Sequence, residues 1–241
     1  MDQDSIEINI VLCGSPRVGK SSLINAICQQ QLAENDVILD SCTKQLKKYQ
    51  VEYTKNNRLH RTIFWDLPGI ESWSEIDVRD HINKLITATK PLCVIYCASP
   101  GSFAKLEHVK WLASECANRK IFCALVCTNM WSGRNRHAVL KEFRDILQKI
   151  HPNIQHFEDN NKIIYFGNVG LCTMVNSETY IDDELDIRRE PSGINELISG
   201  IGKRLDEKHG SIWFQMTSEN QLFWSQMDFD SKHTLSEDVK A

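Results

Sequence analysis

The segment Gly14-Ser15-Pro16-Arg17-Val18-Gly19-Lys20-Ser21-Ser22 has the residue types and the spacing needed to grip a phosphate chain. It fits the pattern Gly-x4-Gly-Lys-Ser/Thr, and it sits in the setting that pattern requires, between an apolar strand-like run and residues with helical spacing. The two glycines allow backbone angles that turn successive amide N–H groups inward on an anion, and a helix starting at Lys20 adds its positive end. Lys20 brings a mobile positive charge suited to β and γ phosphates. Ser21 offers a hydroxyl to Mg²⁺, a hard cation whose remaining positions go to phosphate oxygens and water. The implied chemistry is the binding of a nucleoside triphosphate together with Mg²⁺.

The elements around the loop must hold it in place. Residues 6–13 read as a strand and 20–32 as a helix carrying Leu23, Ile24 and Ile27 on one face. Residues 46–54 and 58–65 read as a hairpin around the polar turn Lys55-Asn56-Asn57. After it, helical stretches at 76–89, 103–118 and 136–150 alternate with apolar strands at 92–98, 121–127 and 162–166. Near-continuous apolar strands alternating with amphipathic helices predict an α/β fold: a mostly parallel central sheet with one antiparallel hairpin strand and helices on both faces.

The rest of the chain is less patterned. Residues 170–191 read as an irregular acidic insertion, whose Glu178, Asp182, Asp183, Glu184 and Asp186 do not match a calcium loop and suit a solvated segment. His108, His137 and His151 read as surface or capping residues. One domain is expected over 1–208, followed by an aromatic helical extension over 209–227 and a disordered tail over 228–241. The extension holds Trp213, Phe214, Phe223 and Trp224. It could pack back on the domain, meet a partner, or touch a membrane interface.

Composition bounds the partners. The chain has 241 residues, 28 Lys plus Arg against 32 Asp plus Glu, and a net charge of −4. That balance gives no bulk attraction for nucleic acid or anionic lipid, so a polyanion must be held locally. With 41% hydrophobic residues a sizeable core can form. Nine cysteines, an odd number scattered through apolar runs without a Cys-x-x-Cys pair, suit reduced, buried thiols. There is no apolar signal core at the start, no run of eighteen apolar residues and no prenylation cysteine at the end. A cytoplasmic location, no transmembrane segment and no nucleic-acid partner are expected.

The stretch GSPRVGKSSLINAI resembles the first motif of Era-like, translation-factor-class GTPases, which typically read Gly-x-Pro-Asn-Val-Gly-Lys-Ser-Ser/Thr-Leu-Ile-Asn. Asp66-Leu67-Pro68-Gly69 and the Thr43-Lys44 pair are similar to later motifs of the same superfamily and of its immunity-associated and septin-like relatives. The resemblance runs from about Ile6 to Leu205 and implies a P-loop NTPase G domain with GTP or GDP as bound nucleotide. In that family Asp66 would reach Mg²⁺ through a water, Thr43 (or Ser41) would supply a second hydroxyl, and the Gly69 amide would bind the γ-phosphate. Segments 38–47 and 66–80 would be switches presenting a nucleotide-dependent surface to a protein effector or regulator, or to a second copy of the chain.

Two motifs depart from the family pattern. Guanine is normally read by Asn/Thr-Lys-x-Asp, and here Thr128-Asn129-Met130-Trp131 puts Trp131, which can donate or stack but cannot accept, where the Asp belongs. The resemblance places Thr128, Asn129 and Asn168 at the base. The water-positioning Gln found in Ras-like members is replaced by Ile70, and the Asn that holds a cation in some Era-like members is replaced by Arg17. Arg17 could stabilise transition-state charge from within the loop, or simply point to solvent. The reading is a GTP-binding switch that hydrolyses GTP slowly. Its alternatives are a nucleotide-binding scaffold with little turnover, and a P-loop ATPase or kinase.

Overall fold

The computed structural model describes residues 6–29, 35–37, 46–55, 58–67, 75–101, 106–159 and 163–217. In chain order the elements are β1 (Ile6–Gly14), α1 (Lys20–Cys28), β2 (Asn35–Val37), β3 (Leu46–Lys55), β4 (Arg58–Asp66), α2 (Glu75–Thr89) and β5 (Cys93–Ala98). There follow α3 (Leu106–Arg119), β6 (Phe122–Cys127), α4 (Arg136–Ile150), β7 (Phe157–Glu158), β8 (Ile164–Phe166) and β9 (Gly170–Met174). The short hairpin β10 (Tyr180–Asp182) and β11 (Ile187–Arg189) precedes α5 (Ile194–Gly202) and α6 (Glu207–Thr217).

One sheet of nine strands carries the fold, in the order β2-β3-β4-β1-β5-β6-β9-β8-β7. Its centre, β4-β1-β5-β6-β9, is parallel. Antiparallel strands occupy both edges, β2 and β3 on one side and β8 and β7 on the other, more than the one hairpin strand the sequence predicts. From β1 the chain crosses to the β4 side and then returns to the β5 side. Ligands in open α/β sheets bind at such a reversal, beyond the carboxyl ends of the strands.

Alternation along the central strands sorts their side chains into two cores. Val11, Cys13, Val94, Tyr96, Cys123 and Leu125 face α2, α3 and α4, where Leu85, Leu112 and Phe143 meet them. Ile8, Ile10, Leu12, Ile95 and Val126 face α1, α5 and α6, through Leu23, Ile27, Ile198 and Trp213. Both faces are covered, so every residue of β5 and β6 is buried and these strands read as unbroken apolar runs.

Two regions differ from the sequence reading. Residues 170–174, expected to begin an irregular insertion, form β9, the fifth parallel strand, with Leu171 and Cys172 fully buried. The expected strand at 162–166 is β8, which runs antiparallel beside it. The domain also does not close at Lys208, which lies inside α6. That helix packs on α1, α5 and the β1-β3-β4 side of the sheet. Trp213 is wholly buried there, its indole Nε1 donating to the Ile198 carbonyl at 2.8 Å. Phe223, Trp224 and the segment 228–241 lie outside the described residues.

Among the described residues the eight cysteines are all buried and unpaired. His108 is buried, not a surface residue, while His151 caps α4 through its backbone N–H to the Leu147 carbonyl. No described helix is long and apolar enough to cross a membrane.

Candidate phosphate-binding site

The phosphate loop leaves the carboxyl end of β1, where Gly14 pairs with Cys97 of β5. Gly14 has φ +140°, and a Cβ there would stand 2.1 Å from the Cys97 carbonyl oxygen, so only glycine lets the loop turn away so close to the neighbouring strand. Gly19 closes the loop as the N-cap of α1 in the left-handed region, with φ +88°. A Cβ on it would lie 3.1 Å from the Asn129 side chain. Between them Ser15 and Val18 are buried, whereas Pro16 and Arg17 form the exposed apex, Arg17 with φ +60°.

Lys20, on the first turn of α1, is 8% exposed and its Nζ donates to the Ser15 carbonyl at 3.1 Å. The ammonium is thus folded over its own loop, beside backbone groups that a phosphate would face. Ser21 Oγ donates to Asp66 Oδ2 at 2.7 Å. This bond joins the loop to the end of β4, which lies next to β1 with Leu12 opposite Asp66. A hydroxyl and a carboxylate in contact at the mouth of a phosphate loop are the hard oxygen donors that suit Mg²⁺. Two of the three residues expected to hold the metal therefore meet. The third, Thr43, lies outside the described residues, as do Gly69, Ile70, Ser41 and Lys44.

The thiols beneath the loop do not compete for Lys20. Burial raises Cys13 well above the usual thiol range and pushes Cys97 up to about 12, so both stay neutral near pH 7. Among the described residues, Asp66 is the carboxylate that meets the loop, through Ser21.

Thr128, just past β6, is fully buried, and its hydroxyl lies 2.5 Å from the Val18 carbonyl and 3.1 Å from that of Ala98. Asn129, with φ +47°, directs Nδ2 to the same Val18 oxygen at 3.4 Å. These two residues brace the phosphate loop from behind. Thr128→Val keeps the shape but leaves Val18 and Ala98 with poorer partners, and is expected to cost about 1–3 kcal/mol of stability, read from urea unfolding midpoints.

Met130 N–H donates to the Val175 carbonyl at 3.2 Å, so the loop after β6 sits against the residues that follow β9. Asn168 is elsewhere: it lies in the turn before β9, at the amino end of the parallel strands, where its Oδ1 accepts from Arg204 at 3.1 Å. It cannot face a nucleotide held at their carboxyl ends. The residue in that place is Asn176, 4% exposed, whose side chain donates to the Glu178 carbonyl. The apolar run 171–175 was the signal for β9, and with it Asn176 would have been found. Trp131 is stacked under Arg136, whose guanidinium carbon lies 4.4 Å from the ring centroid. Among the described residues no group of three or more His, Cys, Asp or Glu side chains is arranged to hold a metal.

The family model of the 50S ribosome-binding GTPase matches residues 9–128, from β1 through the end of β6. No curated protein matches the chain. Among solved structures, the G domain of the T. maritima FeoB iron transporter is 19% identical, with 82% of this chain and 98% of that one covered and a TM-score of 0.45. A structure of the chloroplast translocon components atToc33 and psToc159, titled for the importance of dimerization to their GTPase activity, is 16% identical over 85% of each chain, with a TM-score of 0.49. The phosphate loop in its strand-to-helix setting, the Ser21–Asp66 contact and the family match over residues 9–128 together make this chain a P-loop GTPase G domain in fold.

Proposed function

We propose that the chain binds GTP with Mg²⁺ at the phosphate loop, hydrolyses it slowly to GDP and phosphate, and acts as a nucleotide-dependent switch. The observation that carries this reading is the convergence of Lys20 and the Ser21–Asp66 pair at the loop that Gly14 and Gly19 shape. A triphosphate entering the loop would replace the Ser15 carbonyl as partner of Lys20 Nζ. Backbone amides and the α1 amino end hold the phosphate oxygens. Ser21 and Asp66 would hold Mg²⁺, which when bound neutralises charge on the β and γ phosphates. Thr128 and Asn129 keep the loop in its binding shape through Val18. Segments 38–47 and 66–80 would then respond to the γ-phosphate, with Thr43 and Gly69 as sensing groups and a protein partner or a second copy of the chain as reader. Arg17, exposed at the apex, is placed to meet solvent or a partner.

GTP, ATP and GDP competing for labelled nucleotide provide the test. GTP is expected to displace it at a concentration at least tenfold below that of ATP. Equal affinities would defeat the GTP assignment and leave a general nucleotide site, the outcome that Trp131 in place of an acceptor would produce. Single-turnover hydrolysis on the loaded protein then separates a slow GTPase, on the order of 10⁻⁴ s⁻¹ as in unassisted G domains, from a scaffold with no turnover.

A further inference from the structure

A second cavity opens between the amino end of α4 and the β10-β11 hairpin, with a volume of about 490 Å³. That lies within the range of small-molecule sites, roughly 300–1,000 Å³. Its wall carries Arg134, Arg136, His137 and Arg189 together with Trp131 and Tyr180. No residue of the phosphate loop, nor Thr128 or Asn129, lines it.

Among the described residues, the arginines of this wall are not spent on carboxylates. Arg61, Arg119, Arg144 and Arg188 each pair with a carboxylate. Arg134, Arg136 and Arg189 have no such pairing among the described residues. Arg188 and Arg189 are adjacent on β11 and project to opposite sides, Arg188 to Glu190 and Arg189 into the cavity. The carboxylate on the wall, Asp182, already accepts from the Leu185 N–H at 3.1 Å and the Tyr180 hydroxyl at 3.3 Å.

Two guanidiniums lie against one aromatic ring. Arg136 lies 4.4 Å and Arg189 5.5 Å from the Trp131 ring centroid, so the forks are preorganised at little further entropic cost. The first turn of α4 holds no acidic residue and its N-cap Asn135 makes no side-chain capping bond, leaving backbone N–H groups and the positive helix end beside the same wall.

We propose that this cavity is a second anion site that takes a small organic phosphate, with Arg134, Arg136 and Arg189 as ligands of the phosphate oxygens and Trp131 and Tyr180 as the apolar wall for the organic part. Guanidinium forks and a helix amino end are the donor set that phosphate oxygens match. The cleft between helix and hairpin, about 490 Å³, has the size of a small-molecule site. The wall includes Trp131, the residue at the base-reading position of the nucleotide reading, so the test must tell the two sites apart.

Inorganic pyrophosphate titrated into Lys20→Ala protein tests it, because that substitution disables the phosphate loop. Binding is read by calorimetry and tryptophan fluorescence at low salt. Saturable one-site binding is expected. Adding Arg136→Ala or Arg189→Ala should weaken it at least tenfold. Adding Trp131→Phe should keep the calorimetric affinity within about threefold while removing the fluorescence change. Arg134→Ala, an exposed loop substitution, should weaken binding at least threefold and serves if the Arg136 variant does not fold by circular dichroism. Loss of all pyrophosphate binding in Lys20→Ala overturns the proposal, since the anion then goes to the phosphate loop alone. So does binding indifferent to Arg134, Arg136 and Arg189. A triglutamate peptide bound as tightly as pyrophosphate overturns the phosphate class. Failure of the GTP reading shows instead in wild-type nucleotide competition, which this titration does not use.

Discussion

Lys20→Ala is expected to weaken GTP binding at least a hundredfold and to leave the fold nearly unchanged. The two effects differ because the lysine does different things with and without a ligand. In the structure its Nζ gives one hydrogen bond, to the Ser15 carbonyl at 3.1 Å. Losing a single bond of this kind costs about 1 kcal/mol, and alanine suits a helix's first turn, so the melting temperature should move little. A bound triphosphate presents ionised oxygens to the same ammonium, which is 8% exposed and so poorly screened by water. A hundredfold loss corresponds to about 2.7 kcal/mol, within the range of hydrogen bonds to charged groups in sheltered sites. Titration of labelled nucleotide alongside circular-dichroism melting checks both halves. Unchanged affinity in the variant would remove the phosphate-loop assignment. A collapsed melting curve would mean that Lys20 serves the fold.

The phosphate loop was legible because its chemistry is local. Nine consecutive residues supply the glycine turns, the charge and the hydroxyl, and the strand and helix beside them announce themselves by unbroken apolar character and by 3.6-residue spacing. β5 and β6 were equally plain, since burial on both faces writes itself as CVIYCA and FCALVC. β9 was not. GLCTM is short, includes Thr173, and follows β8 after a three-residue turn, so a pattern reader spends the strand signal on β8 and takes the remainder for a loop. With β9 in place, Asn168 lies at the amino end of the parallel strands and Asn176, two residues past Met174, at the carboxyl end.

Other parts depend on distance in space. Whether Thr128 or Asn129 takes the first position of the base motif cannot be decided along the chain. In the fold both side chains meet the Val18 carbonyl, 110 and 111 residues away. The second cavity likewise needs Arg136 and Arg189 to be brought over one ring by a hairpin that reads as a solvated acidic insertion. Its acidic residues are indeed mostly exposed, and Arg189 beside them lines the cavity next to the Trp131 ring.

Trp213→Ala is expected to destabilise the protein by about 3–5 kcal/mol, the cost of emptying a fully buried aromatic site, and so to remove a large share of a typical domain's 5–15 kcal/mol. Trp213 is 0% exposed and its ring lies 6.3 Å from Phe64 on β4, two residues before Asp66. Its Nε1 bond to the Ile198 carbonyl fastens α6 to α5, so the substitution also removes that tie. Trp213→Phe keeps most of the apolar volume and loses only the N–H, and should cost less, about 1–3 kcal/mol. Urea unfolding midpoints for the two variants measure the pair. If α6 were an appendage beyond a domain closed at Lys208, neither midpoint would move. Because α6 packs on α1 and on β4, the elements that carry Lys20, Ser21 and Asp66, the alanine variant should also bind nucleotide more weakly under conditions where it is still folded. An aromatic residue at the far end of the chain thereby holds the two halves of the candidate metal site in register.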